Sequence, residues 1–322
     1  MGIAVNTLEV LAPGMLTTVQ DLGREGFGPL GISPSGAADA LSLRIGNLLA
    51  GNPQGAAALE MTLLGGTFRF PDGCVFSLAG SDFGATLDAA PAKLWQSVRA
   101  QPGQILQLGP TRSGARCYLC VRGGIQVEKF LGSASTHLLS GVGGFEGRAL
   151  RKGDVLRIES AGADSIDALF APKTLPPALL EHVSPRKTLR VTAGPQSEWF
   201  LELSRRAFYE NAYRLTEESD RLGIRLAGAP VPCPRGGDMI TEGVSLGAIQ
   251  VPPDGQPIIV FVEQQTTGGY PKIANVISAD LHTVGQLRPR DEIRFELVSM
   301  ETAHSLLHEQ EQIVTSLEPS RP

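Results

Sequence analysis

At 322 residues the chain has room for one large or two ordinary domains, and its formal net charge of −5 lacks the basic footprint that phosphate-backbone binding needs. Nucleic acid is therefore excluded as a partner class. Hydrophobic residues at 42% and charged residues at 19% exclude a disordered or collagen-like chain, and 38 glycines and 23 prolines among short Val/Ile/Leu/Phe runs favour many short strands joined by turns.

The N-terminal run MGIAVNTLEVLAPG has neither a basic region nor a sustained apolar core, and no stretch approaches the roughly 18 apolar residues of a membrane span. A cytoplasmic location is expected. After Ser35, a good N-cap, Leu41, Ile45, Leu48 and Leu49 follow helical spacing and Gly51 supplies a stop. Strands are predicted over Val75 to Ala79, Arg116 to Val121, Val155 to Ile158, Pro257 to Val262 and Glu292 to Leu297. A second helix is predicted behind Ser197, carrying Trp199, Phe200, Leu203 and Phe208, and a polar one from Met300 to about Ser316. The fold class is mainly β, a barrel or sandwich with one or two helices per unit.

Compared with itself, the chain repeats. Leu8, Val10 and Ala12 face Leu189, Val191 and Ala193 at an offset of 181, which also pairs Asp39, Leu41, Arg44 and Ile45 with Asp220, Leu222, Arg225 and Leu226. At 182, Glu60 and Gly65 face Glu242 and Gly247, and the Pro71-Asp72-Gly73 turn faces Pro253-Asp254-Gly255. The offset then falls to 137 between GDVLRIE and RDEIRFE, so the second copy lacks about 44 residues present in the first. An internal duplication follows, with domains at 1–159 and 189–299, a linker at 160–188 and a polar C-terminal helix and tail at 300–322.

Four segments place polar residues beside glycine, where a backbone approaches a ligand closely. TTVQDLGREG brings Gln20, Asp21 and Arg24 together, a spacing that could position a carboxylate substrate and a proton acceptor, or form a local ion pair. SPSGAAD ends in Asp39, a second candidate carboxylate or simply a capped helix start. Arg122 to Gly153 holds eight glycines in the length special to the first copy, as a ligand or partner loop or a flexible connector; it lacks the GxxxxGK[ST] phosphate loop. In the fourth segment, a buried strand opens into Glu263 to Tyr270. Gln264, Gln265, Thr266 and Thr267 offer amides and hydroxyls, Gly268 and Gly269 can turn N–H groups toward an anion, and Lys272 adds charge. That grouping suits the carbonyl oxygen or oxyanion of a polar small molecule, or else decorates a hairpin turn.

Other signals carry less. Of four cysteines, Cys117 and Cys120 match CxxC, but on a strand residues three apart point to opposite faces, which argues against zinc or redox chemistry. His304 and His308 lie on a Glu-rich helix and belong to a solvated face; no metal site is expected. GISPSG misses the GxSxG spacing of a serine hydrolase by one residue.

Taken together, TTVQDLGREG, SGAADALSLRIGNLLAGN, GGIQVEKFLGSASTHL, GGFEGR, SDRLGIRL, EGVSLGAIQVPPDGQPI and QTTGGYPKIANVISADL resemble the biotin-dependent carboxyltransferase-like family from about residue 8 to 297. This family includes the C-type component of bacterial 5-oxoprolinase, the antagonist of the Kip kinase inhibitor and proteins labelled allophanate hydrolase subunit 2. The resemblance implies two tandem cyclophilin-like β-barrels, a B-type (Kip-inhibitor-like) partner and an A-type third protein. It further implies ATP-dependent opening of 5-oxoproline to glutamate by that hetero-oligomer. Alternatives from the same family are carboxyl transfer from biotin to urea or a related amide, and non-catalytic antagonism of a kinase inhibitor.

By the same resemblance, Asp21, Arg24, Asp39 and Lys272 are the expected catalytic residues. Gln20, Arg221, Gln250, Gln265, Thr266, Thr267, Gly268, Gly269 and Tyr270 are the expected substrate-binding ones. The chain departs from the family at Glu263-Gln264, where relatives carry Asp-Arg, and at Pro289-Arg290-Asp291, where they carry Pro-Gly-Asp.

Overall fold

The computed structural model describes residues 6–159, 172–235 and 239–318. Part of the linker expected at 160–188 and the last four residues of the expected tail lie outside them. The chain divides into two compact units, residues 1–24, 35–183 and 313–322 in the first and residues 25–34 and 184–312 in the second.

The first unit contains β1 (Asn6–Ala12), β2 (Leu16–Gln20), α1 (Ala40–Ala50), β3 (Ala58–Thr62), β4 (Thr67–Arg69), β5 (Cys74–Gly80), β6 (Thr86–Leu87), β7 (Ala90–Pro91), β8 (Ser97–Ala100), β9 (Ile105–Gln107), β10 (Arg116–Val121), β11 (Ile125–Gln126), β12 (Val155–Ile158) and α2 (Leu180–Val183). These strands build a seven-stranded sheet in the order β11-β12-β1-β4-β9-β6-β7 and a five-stranded sheet in the order β2-β3-β10-β5-β8. One apolar core joins both sheets: Leu8, Val10, Phe68, Leu106 and Leu156 from the first, and Val19, Leu59, Phe76, Leu78 and Leu119 from the second. Each such buried side chain contributes about 2 kcal/mol.

Helix α1 lies along the five-stranded sheet, where Leu43 and Ala50 meet Ala58, Tyr118 and Cys120. Leu41, Ile45, Leu48 and Leu49 pack with Leu175, Val183 and Val314. Its N-cap is Asp39 rather than Ser35: the Asp39 carboxylate accepts the Ser42 N–H at 2.9 Å and the Ser42 hydroxyl at 2.6 Å. Gly51 closes the helix in the left-handed conformation, as its spacing predicted. On β10, Cys117 enters the inter-sheet core while Cys120 faces the helix. Burial pushes both thiols up, Cys120 to about 12, so neither supplies a thiolate near neutral pH.

The second unit contains β13 (Thr188–Ala193), α3 (Glu202–Glu210), β14 (Tyr213–Leu215), β15 (Gly223–Ala227), β16 (Glu242–Gly243), β17 (Ala248–Gln250), β18 (Ile258–Val260), β19 (Thr267–Gly268), β20 (Lys272–Val276), α4 (Leu281–Gln286), β21 (Glu292–Leu297) and the start of α5 (Met300–Ser316). Seven strands close a barrel in the order β13-β20-β17-β18-β15-β14-β21, sealed by parallel pairing of β13 with β21. Stacked rings of Phe208 and Phe295, 4.5 Å between centroids, pack beside Tyr213. The helix predicted behind Ser197 is two pieces, a 3-10 turn over Ser197–Trp199 and then α3, because Phe200 and Leu201 are extended.

The mainly β class read from the sequence holds, but the repeat does not map onto equal conformations. The 181 offset equates Asp39–Ile45, which enter helix α1, with Asp220–Leu226, which enter strand β15. Leucine spacing of that kind serves a helix or a strand according to what it packs on. Likewise β12 runs antiparallel to β1, whereas β21 runs parallel to β13. At the departure from Pro-Gly-Asp, Arg290 holds φ +75°, a left-handed conformation that favours glycine, and its guanidinium reaches Glu217 at 2.6 Å. Among the described residues no helix is long and apolar enough to cross a membrane.

Candidate functional site

The expected site residues fall in two clusters, one in each unit. In the first unit β2 ends at Gln20 and delivers Asp21 against the segment Ser133 to Thr136. Asp21 Oδ1 accepts the Ser133 and Ser135 hydroxyls, each at 2.6 Å, and the Gly23 N–H at 2.8 Å; Oδ2 accepts the Ala134 N–H at 2.6 Å. The Arg24 guanidinium donates to the Ser135 carbonyl oxygen and lies 5.4 Å from the Phe130 ring centroid. The Gln20 amide donates to Thr18 Oγ1 at 3.0 Å and to the Thr136 carbonyl at 3.1 Å.

These contacts fold the glycine-rich segment back on β2. A Cβ on Gly143 would stand 2.2 Å from the Ser135 carbonyl oxygen, and one on Gly144 1.8 Å from Thr136 Oγ1. Both glycines are thus a condition of the close approach, and the segment is a built loop rather than a flexible connector. Asp39 sits apart from Asp21 as the α1 cap, its own N–H bonded to the Tyr118 hydroxyl at 2.8 Å. That hydroxyl donates to buried Glu60 at 2.6 Å; burial first, then the Glu60 charge, keeps Tyr118 protonated well above its ordinary range.

In the second unit the segment after β18 walls a cleft of about 620 Å³ on the outside of the barrel. Gln250, Gln265, Thr267, Gly268, Gly269 and Tyr270 line it, as do Ile258, Val260 and Arg225. The wall is held from behind. Arg221 Nε donates to Glu263 Oε1 at 2.5 Å, both side chains buried, and the Glu263 N–H returns to the Arg221 carbonyl at 2.8 Å. Short strands β16 and β19 pair through Glu242 with Gly268 and Gly243 with Thr267. The Val244 N–H bonds the Thr266 carbonyl at 3.2 Å.

Lys272, only 3% exposed, does not line the cleft. Its ammonium pairs with Glu242 Oε1 at 2.5 Å, an oxygen that also accepts the Gln196 amide at 2.8 Å. Lys272 first, and Gln196 second, hold the Glu242 carboxyl below the usual carboxylate range. Arg221 and Thr266 likewise do not line the cleft.

Two participants were not legible in the sequence as site residues. Ser133 to Thr136 bind Asp21 and Gln20 across more than a hundred residues of chain, a relation no local spacing encodes. Arg225 entered only as a repeat match, although its place between Ile224 and Leu226 on an alternating strand puts it on the outer face.

The chain matches the family described as carboxyltransferase domain, subdomain A and B, over residues 30–297, and it belongs to that family. Within it, the chain is 36% identical to the C-type component of 5-oxoprolinase from Haemophilus influenzae, covering 94% of this chain and 95% of that protein. It is 37% identical to the C-type component of 5-oxoprolinase from Escherichia coli, covering 96% and 97%. Urea amidolyase of Saccharomyces cerevisiae is 35% identical over 98% of this chain, which spans only 18% of that enzyme. Among solved structures, K. lactis urea amidolyase superposes with a TM-score of 0.89 at 33% identity, over 98% of this chain and 20% of that one.

Proposed function

We propose that this chain is the C-type component of an ATP-dependent 5-oxoprolinase, acting with a B-type and an A-type partner to open 5-oxoproline to glutamate. The observation that carries the reading is the end-to-end similarity to two bacterial proteins of that name, 95% and 97% of their lengths. The cleft chemistry agrees with it: Gln250 and Gln265 offer amides, and Gly268 and Gly269 place backbone beside a small polar lactam.

A bare polyphosphate is disfavoured in this cleft. Among the described residues Glu218, Asp220 and Asp254 line it against Arg225, and Lys272 is engaged by Glu242, so a triphosphate would meet net repulsion. Asp21, Arg24 and Asp39 act in this reading by holding loops and a helix in place. A second reading, carboxyl transfer from biotin to urea or a related amide, draws on the 0.89 TM-score with urea amidolyase.

The test is reconstitution. The three purified proteins, supplied with 5-oxoproline and ATP, are expected to release glutamate only when this chain is present. Equal turnover without it overturns the reading. Carboxylation of urea by this chain with a biotin carboxylase and biotinylated carrier would establish the second instead.

A further inference from the structure

The geometry points to Arg225 as the residue that reads a small mono-carboxylate in the second unit's cleft, with the ligand's apolar ring on Ile258 and Val260 and its carbonyl turned toward Gln250; naming 5-oxoproline as that ligand rests on the function proposed above.

The argument begins with strand register. Gln250 pairs with Ile258 across β17 and β18, and Ile258 pairs with Arg225 across β18 and β15. Directly paired residues share a face of the sheet. Their neighbours Ile249, Ile259 and Ile224 are buried and do not line the cleft, so the row Gln250–Ile258–Arg225 faces outward into it. Two strand spacings separate its polar ends by about 10 Å at the backbone, with Ile258 between them. In the adjoining row Val260 pairs with Gly223, both on the cleft lining, and Val260 adds apolar floor beside Ile258. A compact molecule with a carboxylate at one end, an apolar ring and a carbonyl at the other matches that row.

The polar ends are also unspent. Among the described residues no hydrogen bond or ion pair engages the Arg225 guanidinium; its backbone alone is held, the N–H by Ser219 Oγ at 3.0 Å and the carbonyl by the Thr216 N–H at 2.9 Å. The neighbouring carboxylates are turned into their own turns. Asp220 Oδ1 accepts the Leu222 and Gly223 N–H groups at 2.8 and 3.1 Å, and Asp254 Oδ1 accepts the Gln256 N–H at 3.0 Å. Gln250 Nε2 is buried beside the Gly268 backbone with no hydrogen-bond partner among the described residues, so a ligand carbonyl reaches it only as the Gln250 side chain turns toward the cleft. A planar guanidinium fork suits a carboxylate in two parallel hydrogen bonds. The three surrounding carboxylates penalise each further negative charge, which selects a mono-anion over a polyphosphate.

The experiment compares 5-oxoproline with 2-pyrrolidinone, the same lactam ring without its carboxylate. Binding to the full chain is measured by calorimetry, and KM and kcat in the three-protein mixture, for the unaltered chain, Arg225→Gln and Arg225→Lys. The unaltered chain should favour 5-oxoproline by at least about tenfold, the scale of one charge-assisted hydrogen-bonded pair. Arg225→Gln should erase that preference and raise KM with little change in kcat, and Arg225→Lys should recover part of it. No preference in the unaltered chain, a preference that survives Arg225→Gln, or equal loss of both ligands overturns the proposal. If the mixture forms no glutamate while the chain still shows an Arg225-dependent preference, the 5-oxoprolinase reading falls and the carboxylate site stands.

Discussion

The Asp21 carboxylate of the first unit and the cleft of the second are made of the same materials, polar side chains beside glycine at the end of a strand, yet they differ in how far their hydrogen bonds are spent. Around Asp21 four donors converge on one carboxylate and Arg24 is tied to Ser135, while Gln20 Oε1 beside them is a buried atom left without a hydrogen bond among the described residues. Around the cleft, Arg225 and Gln250 Nε2 keep unspent hydrogen-bonding capacity. Saturated polar groups fix a structure, and unsaturated ones are available to a ligand. Three substitutions bear on that contrast.

The largest effect is expected at Asp21. Asp21→Ala strands the Ser133 and Ser135 hydroxyls and two backbone N–H groups in a buried setting, and should cost about 3 kcal/mol in urea denaturation. Unchanged stability with lost activity would make Asp21 a chemical rather than a holding residue, and the contrast would break.

A smaller effect is expected at Gly268→Ala. The added Cβ would stand 2.5 Å from Gln250 Nε2 and 2.9 Å from a Val244 methyl. The Gln250 side chain can move, so the stability cost should stay within about 1 kcal/mol while affinity for the cleft ligand falls by more than the stability does. Calorimetry of binding beside denaturation separates the two, and equal losses would mean that the wall is only structural.

The smallest effect is a pH dependence at Glu242. Its folded carboxyl is held below the ordinary value by Lys272, so the pair's contribution is present above that value and fades as pH falls through the lowered one. Because Glu242 is 43% exposed, the contribution is a few tenths of a kcal/mol, about that of a surface pair. Denaturation midpoints between about pH 3 and 6 should slope slightly less in Glu242→Gln. An identical slope would show that the Lys272 contact adds nothing in solution.

The strands over Arg116–Val121, Val155–Ile158 and Glu292–Leu297 and the final helix Met300–Ser316 lie where local pattern placed them, since each is set by a continuous apolar run, an alternation or a 3.6-residue repeat. Asp39–Ile45 and Asp220–Leu226 carry matching residues and fold differently. One is laid along a sheet by the contacts of Leu43 with Ala58 and Cys120, the other is built into a barrel wall by pairing with β18. In the site, the loop Gln265 to Tyr270 was legible as polar groups beside two glycines. The removal of Lys272 from the cleft was not, because it depends on Glu242, 30 residues earlier in the chain.

The sequence by itself determined a mainly β chain, the position of its longest helix and the segment that walls the cleft, because these follow from short-range pattern and from residue chemistry. Only the tertiary structure decided which polar groups are spent. Asp21 meets three of its four donors 112 to 114 residues away, and Gln250 and Arg225 share one outward row only because β18 lies between their strands. Hydrogen-bond saturation is a property of where long-range pairing brings donors and acceptors, and no local spacing carries it.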